Sequence, residues 1–425
     1  MPSERFLSQQ QPGLLAPFRA LDLTGELGFL CGKILGDLGA DVIKVEPPGG
    51  DPARNRGPFY HDEPHPEKSL HWFAYNNNKR GITLNIETAT GRDLFFRLVK
   101  SAHFVIDSFR PGHLDALGLG YQALREVNPA VVMVSITPYG QTGPYSGYLA
   151  SDLELMAMGG AMSVTGDPDR APVRVSFPQA SMWAGMHAAM GALIAHYHRS
   201  VTGEGQYVDV SAQASVVWAL GHAPSFWTVN RTIPAREGGY LTGRSITGAK
   251  MRVVFPCKDG YLNFIIYGGP AGRHTNRELV KWMDEHGMAT DWLRQKDWDN
   301  FDIATVTQEE IDKIEEPAAT FFETLTKAEF FQRVLEREML GYPLASAEDI
   351  LADSQLQERS FWQEVEHPEL GRPISYPGAF AKFSEGGCTL HRRAPLIGEH
   401  NAEIYCGELG LTKEELLMLK EAGII

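Results

Sequence analysis

Over the first 140 residues the apolar and polar positions alternate between two rhythms. FRALDLT (18–24) puts Leu21 and Leu23 on one face of a short strand. GELGFLCGKILGDLG (25–39) then carries Leu27, Leu30, Cys31, Ile34, Leu35 and Leu38 at the 3.6-residue spacing of a buried helix face, with Gly39 where a helix C-terminal glycine belongs. ADVIKVE (40–46) supplies a second strand, stopped by Pro47-Pro48-Gly49-Gly50. Strand, helix and strand within about thirty residues make a βαβ unit, which implies parallel pairing. The rhythm recurs: GITLNIE (81–87) reads as a strand, TGRDLFFRLVKSA (90–102) as a helix and HFVIDSF (103–109) as a strand. LDALGLGYQALREVNPA turns toward a short helix, and VVMVSITPYG (131–140) is a further strand. The pattern predicts an open α/β domain whose ligands bind beyond the C-terminal ends of the strands, at Thr24–Glu26, Glu46–Pro47, Glu87–Thr88, Ser108–Phe109 and Thr137–Tyr139.

Further along, WAGMHAAMGALIAHYHRS (183–200) is almost wholly apolar and rich in small residues, a buried helix that another backbone approaches closely. A glycine turn, the strand QYVDVS and a second helix follow. Periodicity dissolves into loops over 222–250, and 251–269 reads as a hairpin turning at Lys258-Asp259-Gly260. Helical patterns near 273–285 and 319–338 complete a second domain. From about 345 the chain mixes short helices, a glycine- and proline-bearing strand region and a closing helix, KEELLMLKEAG, and returns to the first domain. No internal repeat stands out.

Composition narrows the function. The 39 Lys and Arg against 53 Asp and Glu give a formal charge of −14, which disfavours phosphate backbones and anionic lipid, so neither nucleic acid nor membrane is an expected partner. No apolar run approaches the roughly 20 residues of a membrane span. The opening MPSERFLSQQQPGLL lacks the layout of a signal peptide, and the four cysteines are scattered without CxxC pairing, so the chain is expected in the reducing cytoplasm. There is no GxxxxGK[ST], no strand-led GxGxxG and no GxSxG, which argues against ordinary nucleotide enzymes and serine hydrolases. His196 and His198 would point about 200° apart on a helix, and His61 and His65 lie in a proline-bearing loop, so no metal is expected. Asn76-Asn77-Asn78-Lys79-Arg80 either grips an anionic ligand or fixes a bend. Tyr267-Gly268-Gly269-Pro270-Ala271-Gly272 is either a lid or a plain hairpin end.

Taken in order, LGDLGADVIKVEPPGGDPARNRGPF, NNNKRGITLNI, DSFRPGHLDALGLGY, NPAVVMVSITPYGQTGPYSG, TGEGQYVDVS and RRAPLIGEHNAEI resemble the class III CoA-transferases, the family of formyl-CoA transferase and the carnitine–CoA transferases. The resemblance runs from about residue 18 to the C-terminus. It implies a large Rossmann-like domain with a parallel sheet over 1–215, a small α+β domain over 225–340, and a segment 345–425 returning to the first. It also implies an interlocked dimer and a CoA thioester as substrate, with no tightly bound cofactor. Asn78, Lys79, Arg80, Ser108 and Phe109 become candidates for contact with CoA, and Tyr267, Gly268 and Gly269 for a lid.

The family chemistry needs a carboxylate nucleophile. An Asp attacks the acyl-CoA carbonyl to give a mixed anhydride as activated as the thioester, so thiolate and carboxylate can exchange without loss of activation. A serine would form a less activated oxyester that tends toward hydrolysis. In relatives the Asp lies four residues before a Gly-Met-His; here Gly185-Met186-His187 is preceded at that distance by Ser181, and nothing acidic occurs between Arg170 and Glu204. The histidine that racemase relatives use falls on Ser151. Basic positions used toward the nucleotide fall on Pro47, Glu87 and Ala116. Three expectations follow. The first is a catalytically silent subunit paired with an active paralogue, as in heteromeric members such as benzylsuccinate CoA-transferase. The second is an active homodimer using another carboxylate such as Asp152, although Ser151-Asp152 equally fits a helix N-cap. The third is a CoA-thioester isomerase, hydrolase or binding protein on the same scaffold.

Overall fold

A computed structural model describes residues 13–221 and 223–425. The opening segment, read above for a leader, lies largely outside them. The chain forms two compact units. One comprises the chain up to Ala161 with Arg174–Thr232 and Gln355–Ile425; the other comprises Met162–Val173 with Ile233–Ser354. Chain order suggested boundaries at 215, 225, 340 and 345. Contacts instead assign 162–173 to the second unit, because Gly238 donates to the Gly166 carbonyl and Arg236 to those of Asp167 and Arg170.

The first unit is built on a six-stranded sheet in the order β3-β2-β1-β4-β5-β6, every neighbouring pair parallel. The strands are β1 (Arg19–Leu23), β2 (Asp41–Glu46), β3 (Lys79–Thr83), β4 (Phe104–Asp107), β5 (Val132–Thr137) and β6 (Tyr207–Ser211). β4 and β5 are buried at every position, as strands covered on both faces must be. The connecting helices are α1 (Phe29–Asp37), α2 (Leu70–Asn76), α3 (Ala89–Val99), α4 (His113–Ala116), α5 (Tyr121–Val127), α6 (Asp152–Met158), α7 (Ala180–Thr202), α8 (Ala212–Leu220) and α9 (Ala223–Asn230). The strand order reverses between β1 and β4, the point where open α/β sheets leave a crevice at the strands' C-terminal ends.

Three local differences from the sequence reading have physical causes. Gly25–Gly28 forms a turn before α1, so Leu27 precedes the helix rather than lying on its face. β3 begins at Lys79, not Gly81, since the two cations are neutralised, Lys79 by the buried Asp22 and Arg80 by the partly exposed Asp41, and can enter the sheet. Helix α9 occupies part of the stretch expected as loop; none of its described residues is buried, so it offered no amphipathic face to recognise.

α7 packs its small residues against α1. Ala184, Ala188 and Ala192 are fully buried, and a Cβ at Gly185 would lie 2.8 Å from Leu30 Cβ. Only glycine permits that approach. The opposite face of α7 carries Met186, Met190, Ile194, Tyr197 and Val201, all substantially exposed.

The second unit contains the short antiparallel pair β7 (Tyr240–Leu241) and β8 (Met251–Arg252), and a three-stranded sheet of β9 (Val254–Cys257), β10 (Gly260–Asn263) and β11 (Tyr342–Pro343). Around them lie α10 (Gly269–Glu285), α11 (Asp291–Gln295), α12 (Gln308–Phe322), α13 (Lys327–Glu336) and α14 (Ala347–Ala352). Its core joins Phe255, Phe264, Trp282, Phe321, Phe322 and Phe330. Tyr267 and Gly268 lead into α10, Gly268 as its N-cap and Gly269 at φ +74°. The chain then returns through α15 (Ser354–Glu358), the hairpin β12 (Trp362–His367) and β13 (Arg372–Pro377), and the closing helix α16 (Lys413–Glu421).

Candidate active site

At the β1–β4 switch the Gly25 amide donates to Ser108 Oγ at 2.7 Å, tying the two loops together. Beyond this tie lies a crevice of about 920 Å³. Leu23, Val45 and Leu84 form its apolar wall, and Pro47, Glu87, Ser108 and Phe109 contribute to its rim. Its charge balance is acidic. Glu46 is neutralised by Arg54 at 2.6 Å and Asp51 lies 3.6 Å from Lys44, but Glu87 is exposed and has no ion-pair partner among the described residues. Behind Ser108, burial pushes the Asp107 carboxyl up to about 6, against the Ser135 hydroxyl and the Phe109 amide that donate to it.

A second cavity, of about 420 Å³, adjoins the N-terminus of α7. Asp152 and Ser181 lie in its wall with Arg174, and Glu26 and Arg56 border both cavities. Ser151 caps α6 in a reciprocal box with Glu154, which fixes Asp152 in the helix's first turn. Asp152 Oδ1 accepts the amides of Gln179 and Ala180 at 2.7 and 2.8 Å, so this one oxygen caps α7 as well. Its Oδ2 is buried without a partner, and so is Ser181 Oγ, whose residue is only 6% exposed. Arg56 forms an ion pair with Glu26. Burial and the Arg56 charge hold the nearby His71 imidazole down to about 4, so it stays neutral beside the guanidinium. Arg174 is exposed, donates only to the carbonyls of Val175 and Ser176, and pairs with no carboxylate among the described residues.

The residues singled out from sequence are thus dispersed. Ser108 and Phe109 line the crevice, and Ser181 and Asp152 share the second cavity. Asn78, Lys79 and Arg80 line neither, since they stand at the N-terminal start of β3 with their side chains committed to protein groups. Lys79 Nζ binds Asp22 Oδ2 at 2.8 Å, Asn76 Oδ1 at 2.9 Å and the Phe29 carbonyl at 3.0 Å. Arg80 grips both oxygens of Asp41 and reaches Glu403 and Glu408. Asn78 joins Asp37 to the backbone at Thr389, His391 and Arg392. These three fix a bend and do not face the crevice. Among the described residues no group of three or more His, Cys, Asp or Glu side chains is arranged to hold a metal, and no helix is long and apolar enough to cross a membrane.

Glu26 ends one of the strand-end segments marked from sequence, but Arg56 and Arg174 were not singled out. They lie in separate loops, and only the fold brings them to one cavity.

The sequence matches the model of CoA-transferase family III over residues 15–401. The chain belongs to that family. It is 36% identical over 411 residues to the succinyl-CoA:(R)-benzylsuccinate CoA-transferase subunit BbsE of Thauera aromatica, covering 95% of this chain and 96% of that one. It is 30% identical to the succinyl-CoA–D-citramalate CoA-transferase of Chloroflexus aurantiacus, with coverage of 98% and 100%. Among solved structures, a CaiB/BaiF family protein from Brucella suis matches with a TM-score of 0.79 at 26% identity, over 93% of this chain and all of that one. As a class III CoA-transferase, the chain belongs to enzymes whose substrates are CoA thioesters.

Proposed function

We propose that this chain is the catalytically silent subunit of a cytoplasmic class III CoA-transferase, paired with an active paralogue in an interlocked dimer. The complex moves CoA from an acyl-CoA such as succinyl-CoA to a carboxylic acid. One observation carries this: the side chain four residues before Gly185-Met186-His187 is Ser181, a hydroxyl, where exchange between thioester and acid requires a carboxylate. The acidic rim at Glu87 supports it, because phosphate groups of CoA are repelled there. The exposed apolar stripe from Met186 to Val201 on α7 supports a partner chain, since patches of that kind mark interaction surfaces. Two relatives act on succinyl-CoA, with benzylsuccinate and citramalate as partners in exchange, and one of them is named as a subunit; this favours succinyl-CoA as donor and a dicarboxylic acid as acceptor. Tyr267, Gly268 and Gly269 are proposed to act as a lid over the partner's aspartate.

The native mass and subunit composition of the complex from its own source test this reading. A second subunit of similar mass, carrying Asp before its Gly-Met-His, is expected. A homodimer of this chain that transfers CoA by itself overturns it.

A second reading has its own observation. Asp152 Oδ2 is buried, unpartnered and in the cavity wall, as a carboxylate nucleophile would be. Asp152→Asn keeps an oxygen to cap α7 and removes the nucleophile. If Asp152 carries the acyl group, transfer is abolished; if it only caps α7, transfer persists.

A further inference from the structure

The second unit has a cavity of its own, about 860 Å³, whose wall residues all belong to Met162–Val173 and Ile233–Ser354. α12 supplies one side of it with Gln308, Asp312, Glu315 and Glu316, spaced i, i+4, i+7 and i+8 on one helix face. That face holds the chain at β8: the Lys250 amide donates to Gln308 Oε1 and the Arg252 amide to Glu315 Oε1, each at 2.8 Å. Glu315 is only 8% exposed, yet its Oε2 meets no donor among the described residues and keeps surface in the cavity wall. Burial pushes the Glu315 carboxyl up to about 7 and the Asp312 charge adds to this, against the amide and the guanidinium of Arg252. A carboxylate so placed costs free energy until a donor with positive charge answers it.

Six carboxylates line the space, Asp167, Asp169, Glu237, Asp312, Glu315 and Glu316, against four cations, Arg170, Arg236, Lys250 and Arg252. Their one ion pair among the described residues joins Asp167 to Arg170 at 3.9 Å. Arg236 is spent on the carbonyls of Asp167 and Arg170, and Arg252 on that of Val254 and on the Phe255 ring, 4.9 Å away. The excess is two negative charges. A compact divalent ion has no seat here, because among the described residues no three His, Cys, Asp or Glu side chains are arranged to hold a metal. Two positive charges held apart by a short chain suit carboxylates that stand apart.

We infer that this cavity is a binding site for a linear diamine, one ammonium on Glu315 Oε2 and the other at Asp312 and Glu316 on the same helix face. The inference does not rest on the silent-subunit reading, since every residue it uses lies in the second unit.

Calorimetric titration of the intact complex with 1,4-diaminobutane, beside 1-aminobutane and magnesium ion, tests it. The diamine is expected to bind at least about tenfold more tightly than either comparison. Glu315→Gln, which keeps an oxygen for the Arg252 amide, should bring the diamine down to the level of the monoamine. Glu316→Gln, at an exposed position, should weaken the diamine by about threefold. Binding must also ionise Glu315. At about pH 6 the diamine should therefore release close to one proton, read in buffers of different ionisation heat, and none at about pH 8.5, so that affinity rises as pH passes 7. The proton release is read on the unaltered complex and decides the matter even where Glu315→Gln fails to fold. No binding up to about 10 mM, a diamine isotherm that Glu315→Gln leaves unmoved, or magnesium binding as tightly as the diamine overturns the site. These outcomes are the same for a heteromeric and a homomeric complex.

Discussion

Two clusters of charged and polar side chains in the first unit behave in opposite ways. At the start of β3, Lys79 and Arg80 are nearly or wholly buried, and Asn78 is spent on four neighbours. Their bonds go to other parts of this chain: Lys79 to Asp22, Arg80 to Asp41, Glu403 and Glu408. At the start of α7, Ser181 Oγ and Asp152 Oδ2 are buried with no bond, and Arg174 has no counter-ion among the described residues. Burial of a satisfied charge builds a fold, whereas burial of an unsatisfied one beside a cavity leaves room for a ligand. Asn77 is the exception on the first side, for its buried amide also lacks partners, but it lines neither cavity.

The largest effect that can break this comparison is at Lys79. Burial alone would raise the Asp22 carboxyl, but Lys79 and Lys44 outweigh it and hold Asp22 below the usual carboxylate range. Lys79→Ala strands that charge in the core, at a cost of about 3–5 kcal/mol in urea unfolding. A loss below about 1 kcal/mol would mean that Lys79 is not structural and would return it to the list of ligand groups.

Asp107 comes next. Its carboxyl, raised by burial to about 6 from the ordinary 3.8, keeps in the folded protein a proton that the unfolded chain releases. That contribution, on the order of 3 kcal/mol, is complete below about pH 4 and is lost as pH rises through about 6. Asp107→Asn should flatten stability against pH over that interval; an unchanged slope would mean that Asp107 is ionised in the fold.

Asp152→Ala should cost about 1 kcal/mol through loss of the α7 cap, and Asp152→Asn no more than about 0.5 kcal/mol because an oxygen acceptor remains. Equal losses from the two would show that the charge, not the cap, stabilises α7. Ser181→Ala should change stability by less than about 0.5 kcal/mol, or raise it slightly, because the hydroxyl gives up no bond. A loss above 1 kcal/mol would show that Ser181 is bonded within the protein and erase the contrast with Lys79.

Much of the sheet was legible because strands and helices alternate with clear periods: β1, β2, β4, β5 and β6 all fall within stretches that pattern alone marks. Ser181 was singled out by its distance from Gly185-Met186-His187, a local spacing that needs no knowledge of the fold, and the structure places it in the wall of the cavity at α7. The role of Asn78-Lys79-Arg80 was not, since a cation in a turn looks the same whether its carboxylate arrives from a ligand or from Asp22 and Glu403, far away in the chain. Arg56 and Arg174 were illegible for the same reason. Each is one arginine in a loop, and their relation exists only once α6 and α7 meet.

The close approach of Gly185 to Leu30 has a consequence for how this chain could change its chemistry. At Gly185 there is no space for even one methyl group between α1 and α7, so the backbone of the long helix lies directly against its neighbour. The height of position 181 above the sheet is therefore a property of the backbone, independent of the side chain it bears. Under the silent-subunit proposal, losing or regaining a nucleophile there is an exchange of a single functional group on an unaltered chassis, and Ser181→Asp tests it by placing a carboxylate at that address.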